Sequence, residues 1–365
     1  MSTPRLRKIL ETALNAQASD VHLKPDGPVV LRVSGLLMPL TDDFLFDGEL
    51  VDIANAILPD HLVDRFNSDK EADFSYIEPE VGRYRVNMFM QRGRLSLVMR
   101  HVKEIIPTVE ELNIPEIVKE IALSHRGIVL AAGSTGCGKS TTLAAMLQYL
   151  NQSDRRRVIT IEDPIEYLFH DELCIISQRE VGLDTLSFRA ALTRVLRQDP
   201  DVIMIGEMRD AESFMAALNA ADTGHLVLST LHTTTASQSI GRILDFFPNE
   251  ERDQIRMQLA GCLQAVICQR LVPAASGQGV YPAVEIMVNT PTVRKLLEEN
   301  LVEKLPAAIE TGNEDGMQTF NQALLKLIQQ RKVTEEAGLA RATSPEQLRM
   351  NLKGIFLDEA RRILG

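Results

Sequence analysis

The sequence predicts an α/β protein of two domains: a small N-terminal α+β unit and a larger unit built on a mostly parallel, helix-covered sheet. Its 365 residues exceed what one hydrophobic core usually serves. From about residue 110, apolar strand-like runs alternate with helical patterns, as expected where helices connect parallel strands. Residues 133 to 140 read GSTGCGKS, a G-x-x-x-x-G-K-S loop between the apolar run 128 to 132 and the helix-forming TTLAAMLQYL at 141 to 150.

The N-terminal elements follow from periodicity. Leu6, Ile9, Leu10, Ala13 and Leu14 share one face of a helix over residues 4 to 17. Extended runs follow at 21 to 25 and 29 to 40, and then a helical stretch from about Gly48 to Asn67. Residues 83 to 102 read as a hairpin, because Tyr84, Val86, Met88 and Met90 alternate with polar neighbours before a turn at Arg92 and Gly93. We therefore expect an N-terminal domain over 1–100, a linker over 101–110 with a hinge at Pro107, and a second domain over 111–365.

The loop's strand–loop–helix setting marks it as a phosphate cradle. Its glycines let backbone N–H groups curl around phosphate oxygens, Lys139 brings a positive charge to the β and γ phosphates, and Ser140 offers a hydroxyl to Mg²⁺. The candidate nucleotide-binding residues are Gly133, Ser134, Thr135, Gly136, Cys137, Gly138, Lys139, Ser140 and Thr141. The expected ligands are ATP and Mg²⁺.

Two further strands end in acids. RVITIEDPIEY at 157 to 167 delivers Glu162 and Asp163, and DPDVIMIGEMRD at 199 to 210 delivers Glu207. Ligands of open parallel sheets sit at the carboxyl ends of the strands, so both tips are expected near the loop. One carboxylate there can hold Mg²⁺ through water while another orients or deprotonates the attacking water. Ser140, Glu207 and Asp163 are the metal candidates. In TGHLVLSTLHT, at 223 to 233, His225 and His232 bracket a strand. Seven extended residues span about 23 Å, too far for a shared metal. A histidine at a strand end is commonly a structural hydrogen-bonder; here one is a candidate sensor of the γ phosphate.

Composition narrows the classes. Apolar residues make up 45% and charged residues 24%, and no run approaches the length of a membrane span, as in soluble globular proteins. The N-terminus lacks a signal-peptide core, which fits a cytoplasmic protein. Cys137, Cys174, Cys262 and Cys268 form no C-x-x-C, against zinc and against a disulfide framework. A net charge of -11, no Trp and five Tyr disfavour a nucleic-acid motor. Intact acidic tips disfavour a non-hydrolytic nucleotide switch or scaffold.

GSTGCGKSTT, ITIEDPIEY, DPDVIMIGEMRD and TGHLVLSTLHT occur in the order of the Walker A loop, Asp box, Walker B and His box, and in this the chain resembles the type II/type IV secretion ATPases. It is similar in particular to the type IV pilus retraction ATPases of the PilT/PilU kind, from ASDVHL at 18 to 23, through RYRVNMFMQRG at 83 to 93 and REVGLDTLSF at 179 to 188, to GMQTFNQALL at 316 to 325. The resemblance implies a PAS-like N-terminal domain and a RecA-like ATPase domain. It also implies a homohexamer at the cytoplasmic face of the bacterial inner membrane, docked to a platform protein, with a paralogous retraction ATPase as a further candidate partner. By the same resemblance Glu162 is the water-activating base and Glu207 supports the metal, roles that are open to exchange. His225 and His232 fall in the His box near the γ phosphate. Arg83, Arg85, Arg92 and Arg94 are the candidates for an arginine that reaches the nucleotide.

Retraction, rather than pilus assembly or type II secretion, is implied by the short chain and the missing four-cysteine zinc element. TVRKLLEEN at 292 to 300 keeps the AIRNLIRE-like pattern of retraction motors only loosely, and SPEQLRMNLKG at 344 to 354 resembles the accessory paralogue. Ser134 and Cys137 stand where the family commonly has proline and serine, at variable positions of the loop.

Overall fold

The computed structural model describes residues 3–33, 35–102 and 104–356; Lys103 of the expected linker and residues 357–365 of the expected second domain lie outside them. The chain divides into two compact units. The first comprises Met1–Ile105 together with Pro164–Leu168 and Glu180–Asp184, and the second the remainder.

The first unit opens with α1 (Pro4–Asn15), whose Thr3 cap accepts the Leu6 N–H and whose Leu6, Ile9, Leu10 and Ala13 are buried. Then come β1 (Asp20–Leu23), β2 (Gly27–Val33), β3 (Leu36–Leu45), α2 (Asp47–Ile57), α3 (Val63–Asp69), β4 (Glu71–Glu78), β5 (Gly82–Gln91) and β6 (Arg94–His101). The strands form an antiparallel sheet in the order β3-β2-β1-β6-β5-β4. Arg92 (φ 50) and Gly93 (φ 74) join β5 to β6, two consecutive positive φ values that match the strand twist of a tight hairpin. This is the PAS-like α+β domain.

Two local expectations need correction. The helical stretch over 48 to 67 is broken: Pro59 forces Leu58 out of the helical region (φ -68, ψ 121), so α2 ends at Ile57 and α3 begins at Val63 after a short 3₁₀ turn. β4 escaped the sequence reading although Ala72, Phe74 and Tyr76 alternate with Glu71, Asp73 and Ser75; Ala72 and Phe74 are its buried apolar residues and its partner β5 supplies the pairing.

The second unit contains α4 (Ile117–Ala122), β7 (Gly127–Ala132), α5 (Lys139–Ser153), β8 (Arg157–Glu162), β9 (Ile175–Glu180, whose last residue counts with the first unit), α6 (Phe188–Val195), β10 (Val202–Ile205), α7 (Ala211–Asp222), β11 (Leu226–Leu231), α8 (Ala236–Asp245), α9 (Asn249–Cys262), β12 (Leu263–Pro273) and β13 (Val280–Val288). Five helices follow: α10 (Pro291–Glu298), α11 (Leu305–Thr311), α12 (Phe320–Gln329), α13 (Glu335–Arg341) and α14 (Pro345–Leu352). The sheet order is β13-β12-β7-β11-β10-β8-β9, with β12, β7, β11, β10 and β8 parallel and β13 antiparallel. Every residue of β7, β10 and β11 is buried, which explains why these strands read as continuous apolar runs rather than alternating ones. This is the RecA-like P-loop domain, a parallel sheet covered by helices.

In the first unit, His22 and His101 each bury a ring Nε2 that has no hydrogen-bond partner among the described residues. Burial pushes both imidazoles below the ordinary histidine value of 6.5. Because their folded pKa lies below the unfolded one, the unfolded chain binds more protons as pH falls through 6.5. The stability that neutral histidines provide is therefore present above that pH and lost below it. We expect amide hydrogen exchange in β1 and β6 to speed up between about pH 7.5 and 5.5 after correction for intrinsic exchange. A His22→Asn/His101→Asn variant should show a flatter profile; an equally steep one would refute the assignment.

Candidate active site

The site is built at one edge of the second unit's sheet. β7 pairs with β11 from Gly127–Leu226 to Ala132–Leu231, and β10 pairs with β11 and β8 in parallel. Their carboxyl ends therefore deliver Gly133, His232, Gly206–Glu207 and Glu162 at the same end of neighbouring strands, which lie about 4.8 Å apart.

The loop after β7 needs its glycines for a definite reason. Gly133, Gly136 and Gly138 take φ values of 148, 77 and 95, a region that L side chains rarely enter. At Gly133 space is also closed: a Cβ would lie 2.7 Å from the Gln269 carbonyl oxygen and inside contact distance of Cys137 Sγ. Lys139 is only 8% exposed, and its ammonium donates to the carbonyls of Gly133 (2.8 Å) and Ser134 (3.1 Å), which keeps the charge at the loop. Ser134, Thr135 and Gly136 are exposed at the loop's crest, and Ser140 and Thr141 are half-buried in the first turn of α5. That turn carries the positive end of the helix dipole. Burial pushes the Cys137 thiol up, despite Lys139 nearby, and favours the uncharged form.

A residue missed in the sequence reading braces this loop. Gln269, on β12, accepts the Thr142 hydroxyl hydrogen bond at 2.8 Å, and its amide nitrogen lies 2.9 Å from where a Gly138 Cβ would stand. Its sequence signal was a polar residue inside the apolar run LQAVICQRLVP.

The two acidic tips differ. Glu162 is 6% exposed, and its Oε1 accepts from Thr160 Oγ1 (2.6 Å) and Gln178 Nε2 (3.1 Å). Asp163 beside it is exposed. Glu207 is more open and holds Arg209 (2.7 Å) and His232 Nε2 (3.2 Å) on its two oxygens. Burial opposes its ionisation, but Arg209 and His232 outweigh it and keep the carboxyl below the usual range. Hydroxyls on β11 fix the Glu207 tip, with Ser229 donating to the Ile205 carbonyl and Thr230 to the Gly206 carbonyl, both at 2.7 Å.

His225 requires a correction. It precedes β11, and its carbonyl accepts the Gly127 N–H at the start of β7, so it sits at the sheet's opposite edge from the loop. Its Nδ1 lies 2.8 Å from the Ala220 carbonyl and 3.2 Å from Thr223 Oγ1, the pattern of a structural hydrogen-bonder. The six residues of β11 separate it from His232.

The candidate arginines all belong to the first unit. Arg83 pairs with the buried Glu180 at 2.9 Å, and Arg94 pairs with Asp26 at 2.7 Å and Asp47 at 3.6 Å. Arg85 and Arg92 are exposed.

Positive-φ glycines, first-turn amides and a buried lysine suit a polyphosphate, and two carboxylates on adjoining strands suit an attacking water and a hydrated cation. Comparison with known proteins agrees. A family profile described as Type II/IV secretion system protein matches residues 96–319. The chain is 41% identical to the type IV pilus ATPase PilU of Pseudomonas aeruginosa, over 95% of this chain and 91% of that protein. It is also 41% identical to the type IV pilus retraction ATPase PilT of the same organism, over 93% of this chain and 99% of that protein. A crystal structure of the pilus retraction motor PilT with bound ADP superposes with a TM-score of 0.88 at 38% identity, covering 94% of this chain and 98% of that one. With the phosphate loop and both acidic tips in place along its whole matched length, the chain belongs to the type II/IV secretion ATPase family, among its PilT/PilU-like type IV pilus ATPases.

Proposed function

We propose that this protein is a motor that spends ATP hydrolysis on type IV pilus retraction. The observation that carries the reading is the phosphate loop and acidic tips on a chain similar to PilT and PilU over nearly all its length. Lys139 and the first-turn amides of α5 bind the β and γ phosphates. Ser140 and, through water, Glu207 and Asp163 would hold Mg²⁺, which supplies charge neutralisation on the phosphate oxygens when bound. Among the described residues no three His, Cys, Asp or Glu side chains converge as a metal site, consistent with a cation held largely by substrate oxygens and water.

Glu162 is the base in this reading. Its carboxylate takes a proton from water as the water oxygen bonds to the γ phosphorus and the bond from that phosphorus to the bridging oxygen breaks, leaving ADP and phosphate. Thr160 and Gln178 hold that carboxylate in one orientation. Glu207, ionised by Arg209 and His232, serves the metal and carries His232 as a link between two strand tips. Arg85 and Arg92 are the more available arginines for the nucleotide, since Arg83 and Arg94 are paired.

The working assembly is a homohexamer on an inner-membrane platform protein at the cytoplasmic face, each copy contributing an N-terminal domain and an ATPase domain. Among the described residues no helix is long and apolar enough to cross a membrane.

Lys139→Ala should weaken ATP binding by about 10-fold or more, because it removes a charge-assisted contact; unchanged affinity in a direct titration would refute its role. Glu162→Gln should keep ATP affinity and lose about 10²- to 10⁴-fold in turnover. Wild-type turnover in that variant would move the base elsewhere.

The function itself is tested in the host by deleting the gene, complementing with wild type or Lys139→Ala, and imaging labelled pili. Pili that extend but fail to retract, rescued only by wild type, support the reading. Bald cells would make this an assembly motor, and unaltered pili would overturn a retraction role.

A further inference from the structure

β9 carries two polar side chains spaced two residues apart, and each is tied to a different part of the Glu162 segment. Gln178 donates through Nε2 to Glu162 Oε1 at 3.1 Å, and its own Oε1 accepts the Phe169 N–H at 2.9 Å. The second bond fixes which end of the amide faces the carboxylate. Glu180, 4% exposed, accepts the Ile165 N–H at 3.1 Å, three residues past Glu162. Glu180 is itself held by Arg83 at 2.9 Å and by a short hydrogen bond from Ser75 Oγ. Its backbone N–H donates to Asp184 at 2.8 Å.

These contacts close a ring. From Glu162 the main chain runs to Ile165, whose N–H meets Glu180; two residues back along β9, Gln178 returns to Glu162. Alternate residues of a strand project to the same side, so the Gln178–Glu180 spacing is what lets one strand grip the segment twice. A buried guanidinium–carboxylate pair is a costly feature for stability alone, since apolar residues of similar volume commonly serve as well or better. Its value here lies in direction: the carboxylate that accepts the Ile165 N–H is fixed by charge and by a hydroxyl. Glu180 in turn belongs with Arg83 and Ser75 to the first compact unit, whereas Gln178 and Glu162 belong to the second. The covalent chain through β9 and through residues 163 to 165 is therefore shared by the base and by the Arg83–Glu180 pair.

We infer that Gln178 and the Arg83–Glu180 pair are positioning residues for hydrolysis, holding the Glu162 carboxylate in its attacking-water geometry without touching nucleotide. The inference rests on the reading of Glu162 as the base. It assigns Arg83 a role through Glu180 rather than on phosphate.

The test uses the full-length protein with Mg²⁺ and ATP, measuring single-turnover rate, kcat, KM and ATP affinity for Gln178→Met, Glu180→Gln, Arg83→Ala and Arg83→Lys, alone and combined with Glu162→Gln. Misplacing a catalytic group by a fraction of an ångström to 1 Å costs up to about 100-fold. We expect Gln178→Met to lower kcat by about 10- to 100-fold, with KM and ATP affinity unchanged. Glu180→Gln and Arg83→Ala should fall in the same direction, and Arg83→Lys should recover part of the loss. In the Glu162→Gln background the Gln178→Met change should add nothing, because the group it positions is gone. If Glu162→Gln is inactive but Gln178→Met turns over like wild type, or slows the Glu162→Gln protein by the same factor as the parent, the positioning role is overturned while the base stands. If Arg83→Ala raises KM and weakens ATP binding with kcat intact, Arg83 acts on nucleotide and its assignment here fails. If Glu162→Gln turns over normally, the base reading itself is lost.

Discussion

The site depends first on one constraint, the parallel register of β7, β11, β10 and β8. Parallel pairing makes every carboxyl end emerge at the same edge, and complete burial of β7, β10 and β11 fixes that register. A shift of one residue would exchange the two differently shaped buried faces of a strand and carry Glu162 or Glu207 to the other side of the sheet. Catalytic geometry and core packing are thus the same requirement at this edge. The hydroxyls of Ser229 and Thr230, which bond to carbonyls at the Glu207 tip, place polar groups in a buried strand only where that strand meets the site.

The phosphate loop adds a second constraint of a different kind. Its shape is set by three positive φ values, and its floor is closed by Cys137 and by Gln269 of β12. Lys139 is buried yet satisfied by loop carbonyls, so the charge is held at the anion's place without an acidic partner that would compete for it. Glu207 follows the opposite logic. It is kept ionised by Arg209 and His232, which suits a carboxylate that serves a cation rather than one that takes up a proton. Glu162 is buried, and the hydrogen bonds from Thr160 and Gln178 to its Oε1 fix the direction of its carboxylate.

The first unit contributes order of another sort. An antiparallel sheet with α1 laid against it gathers the apolar residues of the first hundred positions, and a buried ion pair of this unit, Arg83–Glu180, involves a residue far along the chain. The compact unit therefore includes the tail of the Asp box, Pro164–Leu168, and a second segment further along the chain, Glu180–Asp184.

The sequence by itself determined the elements whose signals are local. The glycine-rich loop, the apolar strands that end in Glu162 and Glu207, the amphipathic α1 and the Arg92–Gly93 hairpin all announce themselves through φ requirements or periodicity within a dozen residues. Pro59 was also in plain view, and its break of the 48 to 67 helix follows from the conformational restriction on Leu58. Only the tertiary structure decided what arises between distant residues. That His232 bonds Glu207 while His225 lies at the far edge depends on strand direction, which no local pattern states. Gln269 bracing the loop, Gln178 gripping Glu162 and Arg83 meeting Glu180 join positions up to 127 residues apart, and a polar side chain in sequence carries no mark of the partner that burial will give it.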